Sequence, residues 1–147
     1  MRSAAAFLIA ALLLASGAEV AFAQYTVLTI IITRSNPEPV RPTAPINTLR
    51  DLQIAFAGCW SPPPLDSDRA PVDLTFQVSF KRSGELFGKP PSITFGKAVT
   101  SEQRERYQTA VSEALDLCAQ MPFTESMGGA AAGRVFRVSF TDARNRT

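Results

Sequence analysis

Two cysteines, no histidine and thirteen carboxylates make up the chemically reactive inventory of this 147-residue chain. Cys59 lies in AGCWSPPP beside the only tryptophan, and Cys118 lies in DLCAQMPF. A reactive thiol would need a base or cation to draw off its proton, and the usual histidine is absent. Paired carboxylates can do hydrolytic acid/base work without histidine, which makes Asp66, Asp68, Asp73, Glu85 and Glu125 the candidates for such a reaction. Asp66 and Asp68, however, sit in a proline-flanked stretch where solvated turn residues are the commoner occupants. The acidic residues lack calcium-loop spacing, and SMGGAAAG has no G-x-G-x-x-G spacing. We therefore expect no catalytic centre, no metal, no cofactor and no small-molecule substrate.

The first residues decide how the cysteines behave. MRSAAAFLIAALLLASGAEVAFA begins with Arg2, runs through an apolar stretch from Ala4 to Ala15, and ends in Ala21-Phe22-Ala23. This is the pattern of a secretory signal peptide, residues 1–23, with an A-x-A cleavage site. The competing reading is a retained membrane anchor over residues 4–32, but Glu19 interrupts the apolar run that a bilayer span needs. Export to the periplasm puts the cysteines in an oxidising compartment, where a Cys59–Cys118 disulfide is the expected state. Closing a loop of roughly 60 residues removes about 4 kcal/mol of denatured-state freedom.

The elements that must position these groups follow from periodicity. YTVLTIII (25–32) is apolar and β-branched, which fits an edge strand or a disordered start. TRSNPEPVRPTAPI (33–46) carries four prolines and reads as an extended linker. Asn47 or Thr48 can cap a helix that Asp51 favours electrostatically, with Leu49, Leu52, Phe56 and Cys59 on one face. Pro62, Pro63 and Pro64 stop it. From Val72 to Lys81 apolar and polar residues alternate strictly, the period of a strand buried on one face. Gly84 suits a turn, with a returning strand at 85–87 that resumes near 93–95. Thr100 and Gln103 have capping-box spacing and open a helix whose stripe is Tyr107, Ala110, Val111, Ala114, Leu115 and Cys118. SMGGAAAG (126–133) reads as a flexible connection, Arg134–Thr141 as the last strand, and DARNRT as a frayed tail.

These elements give an α+β fold: an antiparallel sheet of about three strands packed against two main helices, over residues 47–142. Fifteen basic and thirteen acidic residues are scattered through the chain, a net charge of +2 with no basic stripe, so nucleic-acid binding is not expected.

The ordered set of a helix ending in GCWSPP, the strand VDLTFQVSFKRSGEL, GKPPSI, the helix TAVSEALDLCAQMPF and the strand RVFRVSF resembles the C-terminal domains of the TolA and TonB family. The likeness covers residues 55–141 and is nearer to TolA, whose disulfide-bearing form it matches at Cys59 and Cys118. The resemblance implies a periplasmic module that binds envelope proteins by adding a strand at a sheet edge. It assigns that edge to Arg134, Val135, Phe136, Arg137, Val138, Ser139, Phe140 and Thr141. Energy-coupling members keep an uncleaved membrane helix and a long spacer. The removable signal expected here points instead to a free interaction module, the anchored transducer being the alternative.

Overall fold

Two capping boxes set the starts of the long helices. In the computed structural model, which describes residues 25–36, 38–65, 70–88 and 92–144, α1 spans Leu49–Cys59 and α2 spans Ser101–Leu117. Thr48 Oγ1 accepts from the Asp51 amide at 3.1 Å, while Asp51 Oδ2 accepts from the Thr48 amide at 2.9 Å. Thr100 and Gln103 make the same reciprocal pair at the head of α2. The prolines end α1 as expected: Trp60 donates back to Phe56 and leaves helical geometry at once.

Four strands form one mixed sheet in the order β1-β4-β2-β3: β1 Thr26–Ile32, β2 Leu74–Ser79, β3 Thr94–Phe95 and β4 Val135–Asp142. The expected α+β class is present. One strand more than the three anticipated appears because YTVLTIII is ordered as β1, parallel to β4. The other two pairings are antiparallel. Leu28, Ile30, Leu74, Phe76, Val78, Phe136, Val138 and Phe140 turn to one face, where they meet Leu52, Phe56, Val111 and Leu115 of the helices in a single core. Each such side chain contributes roughly 1.5–3 kcal/mol on burial.

Three local expectations are corrected. The returning segment 85–87 is no strand: it makes only isolated bridges, Phe80 to Leu86 and Glu85 to Gln120, and the strand beside β2 on the side away from β4 is the two-residue β3. Gly84 does turn the chain, with φ +84°, and a side chain there would run into the Met121 carbonyl. The stretch anticipated as a flexible connection is instead a short helix, α3, Glu125–Ala131, capped by Thr124. Met127 and Ala131 are buried one turn apart, and Gly128 lets α3 approach the Arg82 carbonyl closer than any side chain would allow. Thirdly, the start of the tail is fixed, since Arg144 is buried. Residues 145–147 and the expected signal peptide, 1–23, lie outside the described residues.

The proline-rich segment is pinned to α1 and to the loop before α3. Val40 donates to the Gly58 carbonyl, Asn36 Nδ2 donates to the Gly58 and Trp60 carbonyls, and Ile46 exchanges main-chain bonds with Pro122 and Thr124. It carries the chain from β1 across to the start of α1.

Candidate functional site

The strand to which sequence reasoning assigned partner docking lies inside the sheet. β4 is bonded to β1 from Thr26–Phe136 to Ile32–Asp142 on one side, and to β2 from Leu74–Phe140 to Ser79–Val135 on the other. Its main-chain groups are therefore occupied, which corrects the expectation that Arg134–Thr141 is a free edge. Phe136, Val138 and Phe140 point into the core, while Arg137, Ser139 and Thr141 point to the opposite face and stay half-buried. Val135 begins the strand partly exposed, and Arg134 precedes it, exposed.

Among the described residues, the long outer edge of the sheet belongs to β1 and the short one to β3. In a parallel pair, alternate residues direct both amide and carbonyl to the same neighbour. Ile32 accepts from the Ala143 amide at 2.7 Å, so the even-numbered residues of β1 face β4. Val27, Thr29 and Ile31 therefore present their main-chain groups to the outer side. One of these is taken: Gln53 Nε2 of α1 donates to the Thr29 carbonyl at 3.2 Å. Val27 is 53% exposed and Ile31 64%, and TVLTIII contains no charge and no proline. Natural edge strands normally carry such guards against pairing.

The helices cover one face of the sheet. The other face holds a cavity of about 520 Å³ lined by Val27, Thr75, Gln77, Ser92, Thr94, Arg137 and Ser139, with Phe76 at its floor. Cross-strand register builds it. Thr29, Ser139, Thr75 and Thr94 stand in one row, a hydroxyl from each of the four strands. Thr75 and Ser139 hydrogen-bond at 2.9 Å. The next row is Val27, Arg137 and Gln77. The Arg137 guanidinium lies over the Tyr25 ring, 4.1 Å from its centroid, an arrangement that steadies a cation.

The remaining sequence candidates that the structure describes lie in structural contacts. Cys59 and Cys118 are bonded, with Cα atoms 6.0 Å apart, and tie the end of α1 to the end of α2. Trp60 stacks on Phe140 with ring centroids 4.4 Å apart, fixing that joint to the sheet. Glu85 pairs with Lys81 at 2.8 Å, Glu125 lies 4.0 Å from Arg82, and Asp73 Oδ1 accepts from the Asp142 amide. These three carboxylates therefore sit in separate interactions. Asp66 and Asp68 lie outside the described residues. Sequence reasoning missed a buried ion pair, Arg144 to Asp142 at 2.6 Å, in which Arg144 also donates to the Pro63 carbonyl. The hydrogen bond to Asp142 raises the Arg144 pKa. Burial, followed by the Asp142 charge, raises that of Tyr107. Among the described residues no cluster of three or more potential ligands is placed to hold a metal, and no helix is long and apolar enough to cross a membrane.

Comparison with known proteins places the fold in a family. The chain belongs to the family described as uncharacterised conserved protein UCP034077, whose model matches residues 42–144. That stretch contains α1 to α3 and β2 to β4, and β1 lies before it. No curated protein and no solved structure matches the chain.

Proposed function

We propose that this family member is an exported, periplasmic protein-interaction module of the cell envelope that captures partner proteins by strand addition at the outer edge of β1. The observation that carries the reading is a seven-residue edge strand with two exposed apolar side chains and no charge, proline or further strand among the described residues to protect it. Export is supported by the signal-like residues 1–23 and by the disulfide, which is characteristic of oxidising compartments. The role proposed is binding, and Asp73, Glu85 and Glu125, which sequence reasoning offered for catalysis, lie in separate contacts.

Docking thus moves from β4 to β1, the strand that covers β4. A partner strand would take the outward amides and carbonyls of Val27 and Ile31, and would displace the Gln53 side chain from Thr29. The test is capture of partners from envelope extracts by wild type and by Ile31→Lys. The substituted side chain is exposed, so stability should change by no more than about 0.5 kcal/mol. A lysine there guards the edge, so capture should fall at least tenfold, and β1 amides of the wild type should gain exchange protection in the complex. Undiminished capture by the lysine variant would refute docking at this edge.

A further inference from the structure

The open face of the sheet is built for a different kind of ligand from the edge. We propose that it binds a small acidic polyhydroxylated molecule of the carboxylated-sugar class, with the carboxylate on Arg137 and the hydroxyls on the Thr75, Ser139 and Thr94 row. A cavity of about 520 Å³ is the size of a small-ligand site. Among the described residues its one charged lining side chain is Arg137 and none is a carboxylate, so the site complements an anion.

The guanidinium carbon lies over the Tyr25 ring, 4.1 Å from its centroid, and a guanidinium carries a planar fork of N–H donors. That fork matches a carboxylate in bidentate fashion. Selectivity beyond charge comes from the register. Each of β2, β3 and β4 sets one hydroxyl into the row, those of Thr75 and Ser139 hydrogen-bonded to each other at 2.9 Å, and Gln77 adds an amide beside Arg137. Hydroxyls and amides both donate and accept, as a ligand rich in hydroxyls requires. A simple anion would use Arg137 and leave the row unused, and a neutral sugar would leave the cation unused. Exposed Val27 closes the β1 side of the cavity with an apolar wall.

This inference goes beyond partner capture and fails independently of it. The full mature chain is titrated with D-glucuronate, D-glucose, acetate and inorganic phosphate while backbone amide shifts are recorded. Glucuronate should perturb Thr75, Gln77, Arg137 and Ser139 and bind at least tenfold more tightly than the other three. Arg137→Gln should weaken it at least tenfold, and Thr75→Val, which keeps the shape and removes a hydroxyl, about threefold. Ile31→Lys, outside the cavity, should bind glucuronate as wild type does. Absence of saturable shifts, equal binding of acetate, phosphate or glucose, or unchanged affinity in both site variants would overturn the proposal.

Discussion

The two faces of one sheet do opposite jobs with alternate residues of the same strands. On the helix-covered face Leu28, Phe76, Val138 and Phe140 are buried to within a few per cent, and the Trp60 stack and the Cys59–Cys118 bond lock the helices over them. On the open face Val27, Gln77, Arg137 and Ser139 line a cavity and retain solvent contact. The contrast teaches that stability and recognition are separable here at single-residue resolution. A substitution one position along a strand moves from one ledger to the other.

The strongest way to break that separation is at the joint between α1 and α2. Replacing both cysteines by alanine, Cys59→Ala with Cys118→Ala, frees a loop of roughly 60 residues, and we expect about 4 kcal/mol of lost stability in denaturant unfolding. The loss belongs to the covered face, so at denaturant-free conditions the open-face residues should keep their ligand response for as long as the domain stays folded. A stability change below about 1 kcal/mol would show that the bond contributes little and that core packing alone holds the helices.

Neighbouring residues of β1 sharpen the comparison further. Leu28 is 1% exposed and Val27 53%. Leu28→Ala should cost about 3 kcal/mol through lost burial and a residual cavity. Val27→Ala should change stability by about 0.5 kcal/mol or less. Equal costs would mean that the open face is covered in solution, and the functional assignment of that face would fall.

What the sequence disclosed follows from which signals are local. The capping pairs Thr48/Asp51 and Thr100/Gln103 mark helix starts within four residues, and period-two alternation marks β2 and the two faces of β4. The β1–β4 pairing joins residues more than a hundred positions apart, as Thr26 to Phe136. The alternation of Phe136, Val138 and Phe140 therefore tells which side is buried but not that β1 lies alongside. The matched family segment begins at residue 42, so it holds β4 without the strand that covers it. The edge assignment itself came with the TolA/TonB resemblance, which covers residues 55–141 and so leaves β1 out. α3 was missed because Gly128-Gly129 reads as a loop, although Gly128 is the residue that allows close contact with Arg82. Arg137 and Ser139 were named among the site residues, whereas Tyr25, Thr75 and Gln77 join them only through register.

A smaller effect than the loss at Leu28 lies at the helix that closes the covered face over β1. Asp51 accepts from the Asn47 and Thr48 amides at 3.1 and 2.9 Å, and these hydrogen bonds, the Asn47 one foremost, hold its pKa below the ordinary value of 3.8. A carboxylate with a depressed folded pKa adds stability above its unfolded pKa and loses it as pH falls through the folded one. Acid below about pH 4 should therefore loosen the first turn of α1, with the Asn47 and Thr48 amides losing exchange protection while β4 amides hold. Asp51→Asn should abolish this pH dependence, and Thr48→Ala should cost about 1 kcal/mol at neutral pH by removing the cap. Because Gln53, on the same first turns, reaches the Thr29 carbonyl, the acid change should also raise exchange along the outer edge of β1. If the Asp51→Asn variant shows the wild-type acid profile at Asn47 and Thr48, the capping box does not control that turn, and the coupling of α1 to the free edge must come from packing alone.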